Sequence, residues 1–107
     1  MIMVSDTSPL VNLAAIGRLS LLHQLYGKIV IPQAVYDEIV VAGVGLPGAT
    51  EMPSLDWIEM RDVRDRKLVV AQTLELDLGE AEAIALAIEH KADLLLLDER
   101  RGRKVAA

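Results

Sequence analysis

The sequence predicts an α/β domain in which a mainly parallel sheet is covered by helices on both faces. Four short apolar runs, residues 2–6, 28–31, 57–61 and 93–97, read as strands. Helical patterns separate them, and that order implies right-handed crossovers between parallel neighbours. Two of the runs stop on a carboxylate, Val4-Ser5-Asp6 and Leu94-Leu95-Leu96-Leu97-Asp98. In parallel sheets the carboxyl edge is where ligands collect, at the point where strand order reverses.

After the first strand, Ser8 is a candidate helix cap with Pro9 at the first helical position, where a missing N–H costs nothing. Leu10, Leu13, Ala14 and Ile16 supply the apolar stripe, and Gly17 ends it. A second amphipathic segment carries Leu19, Leu22 and Leu25 and stops at Gly27. Lys28 to Ile31 is the next strand, closed by Pro32. From Gln33 a helix with Val35, Ile39 and Ala42 on one side runs into Gly43. Residues 43–53, with three glycines and two prolines, are a loop. Trp57 to Arg61 alternates weakly, as a peripheral strand would. Residues 63–76 are helical, with Leu68, Ala71 and Leu74 spaced for a core face. A further helix runs from about Gly79 to His90, and Asp93 to Leu97 is the last strand, its fully apolar Leu94–Leu97 suiting a central place in the sheet.

With 107 residues and 52% hydrophobic content, the chain is expected to form one domain that folds without staples. Having no cysteine, it has no disulfide, thiolate zinc site or cysteine nucleophile, which is compatible with a cytoplasmic location. No apolar run approaches the roughly 18 residues of a membrane span, and the N-terminus has no secretory pattern. The formal net charge of −5 argues against nonspecific electrostatic binding to nucleic acid. Basic residues are nevertheless clustered, as Arg61, Arg64, Arg66 and Lys67 and as Arg100, Arg101, Arg103 and Lys104. Each cluster reads either as a solvated helix face or as a phosphate contact beside the acidic edge.

Six acids compete for the site. Asp6 either caps the following helix or faces the crevice, with Thr7 and Ser8 able to orient its oxygens. Glu38, three residues after Val35 and four after Ala34, borders a buried stripe, and Asp37 lies about 100° around from it. Glu80 fits a capping box in Asp77-Leu78-Gly79-Glu80, yet it also precedes Ile84 by four residues and so sits over the sheet-facing stripe. Glu82 groups with Leu86 and Glu89 on a wetter face. Asp98, ending four leucines, belongs to the crevice side. His23 and His90 lack partners at ligand spacing, and no phosphate-binding glycine loop or serine nucleophile elbow is present.

The stretches Val4–Leu10, Ile31–Ile39, Gly79–Ala87 and Ala92–Asp98, in this order, resemble a PIN domain, the nuclease fold of VapC-type toxins. More narrowly, they are similar to a PIN-like group of predicted nucleic-acid-binding proteins. The resemblance implies a three-layer α/β/α sandwich and a catalytic set of Asp6, Glu38, Glu80 and Asp98, of which Asp6, Glu80 and Asp98 hold Mg²⁺ or Mn²⁺. It implies a metal-dependent ribonuclease, with RNA held by Arg100, Arg101, Arg103 and Lys104 and an antitoxin as possible partner. Glu80 stands where many relatives have aspartate, one methylene shorter.

Relatives continue past the fourth strand through another helix to a fifth strand. The expectation is therefore a single PIN-like domain, residues 1–107, truncated at its C-terminus. Its fourth strand would be left as an apolar edge that self-associates, giving a homo-oligomer, or binds an antitoxin-like segment through residues 94–107. Two other functions fit less of the pattern. A catalytically silent nucleic-acid- or protein-binding module fits the acidic charge. A metal-dependent phosphatase is disfavoured because the residue two after Asp6 is Ser8 and not a second aspartate.

Overall fold

The computed structural model describes residues 2–73 and 76–97. Strand β1 (Met3–Ser5) is followed by helices α1 (Thr7–Ala15) and α2 (Ser20–Tyr26), then β2 (Ile29–Pro32) and α3 (Gln33–Tyr36). Helix α3 passes without a break into a π-helical turn, Asp37–Val41. A 3₁₀ turn (Met52–Ser54), β3 (Ile58–Arg61), α4 (Arg66–Gln72), α5 (Leu78–Glu89) and β4 (Leu94–Leu96) complete the order. All strand pairs are parallel, in the spatial order β3-β2-β1-β4. The expected α/β class with a parallel sheet is what forms.

Alternation along the strands divides the core in two, as the two-residue period of a strand requires. Met3, Ile29 and Ile31 face Leu10 of α1, Leu22 of α2, Val35 and Ile39. Val4 and Val30 face Val69 of α4 and Ala81, Ala85 and Leu86 of α5. The result is three layers, helix on sheet on helix. No helix among the described residues is long and apolar enough to cross a membrane.

Three local expectations are corrected. Helix α1 begins at Thr7, with Asp6 in the N-cap position (φ −82°, ψ 178°) and Pro9 as its third residue. The first four N–H groups of any helix lack internal acceptors, so proline is tolerated there without marking the first position. Secondly, β4 does not take the central place that its apolarity suits and is an edge strand among the described residues, with Leu94 37% exposed, in keeping with the other expectation of an apolar edge. The weakly alternating β3 occupies the other edge, as expected. Thirdly, the helix from Gln33 changes character at Asp37, where Ala42 N–H bonds to the Asp37 carbonyl five residues back at 2.8 Å. Gly43 follows because a Cβ there would lie 2.6 Å from the Ile39 carbonyl oxygen and 2.8 Å from that of Glu38. Leu74 lies outside the described residues.

Candidate active site

Strand β1 sits between β2 and β4, so the crevice at its carboxyl end lies at the reversal of strand order. Ser5 pairs with Leu96, and the Asp6 N–H continues the ladder to the Leu96 carbonyl at 2.9 Å. Strand β4 therefore runs out at the same edge as Asp6. Asp98, with Arg100, Arg101, Arg103 and Lys104, lies outside the described residues.

Asp6 is 2% exposed. Although it occupies the N-cap of α1, its carboxylate makes no capping hydrogen bond to that helix. Its pKa is pushed up to about 7, first by burial and then by the negative charges of Glu80, Asp77 and Glu38, with the Thr7 N–H opposing the rise. Among the described residues, the side chains acting on this buried acid are thus all acidic.

Glu38 reaches the same place from the π turn. Its Oε2 accepts a hydrogen bond from Thr7 Oγ1 at 2.8 Å. The Thr7 hydroxyl therefore orients Glu38, while its N–H acts on Asp6. A π turn within a helix shifts the facing of the residues it contains and is frequent at functional sites. Here it carries an outwardly exposed glutamate onto the start of α5. Asp37 is drawn aside by Gln33, whose Nε2 donates to Asp37 Oδ1 at 2.8 Å.

Gly79 makes that approach possible. A Cβ on Gly79 would overlap Glu38 Oε1 and lie 3.5 Å from Asp6 Oδ1, so both carboxylates crowd one point at the first turn of α5. Asp77 is the N-cap of this helix, its Oδ1 accepting from the Glu80 N–H at 2.9 Å. The positive end of the α5 dipole thus lies beside the acids and offsets part of their repulsion. Gly79 and Asp77 were missed as site residues. The sequence signal for Gly79 was a glycine in a helix's first turn where no left-handed backbone is required.

Glu80 is buried, at 4% exposure, as expected, but for a different reason than the stripe of Ile84. Residues 79–86 of α5 are buried without interruption, and the cluster around Val4 and Val30 takes Ala81, Ala83, Ala85 and Leu86. The small alanines let β1, β2, α3 and α4 close around the helix, leaving it no wet face there. Glu82 is consequently buried too, at 5% exposure, which corrects its placement on a wetter face. Its Oε1 accepts from the Ala34 N–H at 2.9 Å and its Oε2 pairs with Arg66 Nη1 at 2.8 Å. Of the first basic cluster, Arg66 is so engaged and Arg61 is bound to Glu59.

The structure thus brings Asp6, Glu38, Glu80 and Asp77 to one edge. Among the described residues, no three acids or histidines are placed to hold a metal ion by themselves. The donor set nevertheless suits a hard divalent cation, being carboxylate oxygens around an acid that burial first, and neighbouring charges second, leave partly protonated near neutrality. A cavity of about 250 Å³ beside Ala14, Leu19, Leu55 and Trp57 contains none of these acids.

A family model described as a PIN domain matches residues 2–107, and the chain belongs to the PIN-domain family. PIN domains are nuclease-type modules that usually use divalent metals. No curated protein and no solved structure gives a significant match.

Proposed function

We propose that the chain is a metal-dependent ribonuclease that hydrolyses RNA phosphodiester bonds at the Asp6 edge, with Mg²⁺ or Mn²⁺ as its cation. The observation that supports this best is Asp6 itself, a buried carboxylate at the sheet's reversal point whose pKa is raised by burial and by the charges of Glu80, Asp77 and Glu38. Asp6 and Glu80, with Asp98 by family resemblance, would hold the cation. Bound there, it would supply Lewis-acid polarisation of the phosphodiester. Asp6 would have to release its proton at that moment, so binding is coupled to pH. Glu38, fixed by Thr7, lies at the rim as an acceptor for a proton or a hydroxyl of the substrate. Phosphate contacts fall to Arg100, Arg101, Arg103 and Lys104.

In this reading the protein is cytoplasmic and is the toxin of a toxin–antitoxin pair. Strand β4, whose outer edge has no neighbour among the described residues, would be the surface for the antitoxin or for a second copy. One observation favours the alternative of a catalytically silent nucleic-acid- or protein-binding module, namely that no three described acids form a metal group unaided. Calorimetric Mn²⁺ titration paired with cleavage of a single-stranded RNA decides between them. The nuclease reading expects binding and cleavage that are both lost in Asp6→Asn. Binding of RNA without metal-dependent cleavage would establish the silent module instead.

A further inference from the structure

We propose that Glu82 is a positioning residue for the acidic site: by tying the start of α3 to α5, it sets where Glu38 lies against Thr7 and Gly79. Its carboxylate is 5% exposed and fully engaged, with one oxygen on the Ala34 N–H at 2.9 Å and the other on Arg66 Nη1 at 2.8 Å. Ala34 is the second residue of α3, so its N–H is among the first-turn donors that no carbonyl of the helix can reach. A carboxylate there also faces the positive end of the helix. Helix α3 leads directly into the π turn that bears Glu38, with no loop between to absorb a displacement.

Helix α5 therefore grips this segment twice. Glu82 holds its start at Ala34, and Gly79, three residues earlier on α5, receives Glu38 itself. Arg66, from the first turn of α4, holds the second oxygen of Glu82. The acid that sequence spacing assigned to a wet face is thus a brace between three helices.

The metal arm of the test rests on the proposed nuclease reading, and a metal-free arm does not. Glu82→Met keeps the side chain's length but has no oxygen to accept the Ala34 N–H, whereas Glu82→Gln keeps an acceptor. In the metal-free protein, Glu82→Met is expected to move the Thr7 and Gly79 amide resonances and Glu82→Gln to leave them in place. In calorimetric Mn²⁺ titrations, Glu82→Met should weaken binding roughly tenfold, the loss typical of an outer partner of a metal site, because it displaces the rim carboxylate of Glu38 whose charge favours the cation, while Glu82→Gln binds as the parent does. In a Glu38→Gln background the Glu82→Met loss should vanish, because Glu82 acts through Glu38. The inference is overturned if Thr7 and Gly79 do not respond to Glu82→Met, or if its loss persists undiminished without Glu38. It is equally overturned if Glu82→Gln disturbs both resonances, an outcome readable even where Glu82→Met does not fold. A parent protein that binds no Mn²⁺ sinks the metal reading alone, and the resonances still decide the role of Glu82.

Discussion

Glu80 and Glu82 are neighbours on one helix face-to-face with the same core, at 4% and 5% exposure, yet they act on different groups. Glu82 finds a guanidinium and a backbone N–H, so its charge is balanced within the chain. Glu80 sits where it helps to raise the pKa of another buried acid, Asp6. Burial alone therefore separates nothing. A buried acid balanced internally braces the fold, while buried acids turned on one another hold unfavourable energy that a cation would relieve.

The sharpest way to break this comparison is to remove the charge at its centre. Asp6 has its pKa raised from 3.8 to about 7 in the folded chain. Between those values the folded state keeps a proton that the unfolded state releases, so the metal-free protein loses stability as pH rises through that window. The size is on the order of 2–4 kcal/mol, taking about 1.4 kcal/mol for each pH unit. Asp6→Asn should abolish this slope, make the metal-free protein more stable at pH 8, and weaken Mn²⁺ binding by about 100-fold or more. Urea unfolding at pH 5 to 8 with a chelator present measures the slope. If parent and variant share it, Asp6 is not the strained member of the pair of environments.

The comparison is sharpened, with a smaller effect, by neutralising the two glutamates one at a time. Glu80→Gln removes the foremost negative neighbour of Asp6 and should lower the Asp6 pKa by roughly one pH unit, as like-charge partners do. Glu82→Gln should leave it unchanged, because the Glu82 carboxylate is not among the charges that act on Asp6. Carbon-detected NMR titration of the Asp6 carboxyl group reads both. Equal responses would mean that the two acids share one electrostatic environment.

Much of this was legible in the sequence, and the failures share a cause. Strand and helix order followed from alternation of apolar runs and helical spacing, and Asp6 followed from a strand that ends on a charge. Spacing along a single helix misplaced Glu82 because amphipathic reasoning assumes one wet face, and the alanines of α5 allow packing from every side. The facing of Glu38 depends on a π turn, which shifts the helical period by one residue within Asp37–Val41 and leaves no compositional mark. The apolarity of Leu94–Leu97 suits a central strand, although an edge strand covered on its faces needs leucines as well. Thr7 is visible as a polar neighbour, but which acid its hydroxyl serves depends on the packing of the π turn against α1.

The smallest expected effect on stability comes from Gly79, and it tests whether the two environments on α5 are separable. Alanine is the better helix former by up to about 1 kcal/mol, so Gly79→Ala adds helix stability while placing a methyl group against Glu38 Oε1. The obstructed atom is the end of an exposed, flexible side chain, so Glu38 can swing away without disturbing the core. The melting temperature should then stay within a few degrees of the parent's. The Thr7–Glu38 hydrogen bond should be lost, and Mn²⁺ affinity should fall several-fold, a fraction of the roughly tenfold loss of an orienting partner. The Glu82 brace lies farther along the helix and should keep its Ala34 contact, visible as slow hydrogen exchange at the Ala34 amide. Unchanged Mn²⁺ affinity with a folded Gly79→Ala chain would show that Glu38 takes no part in the site. Loss of Ala34 protection would show instead that the brace and the acidic edge move as one unit.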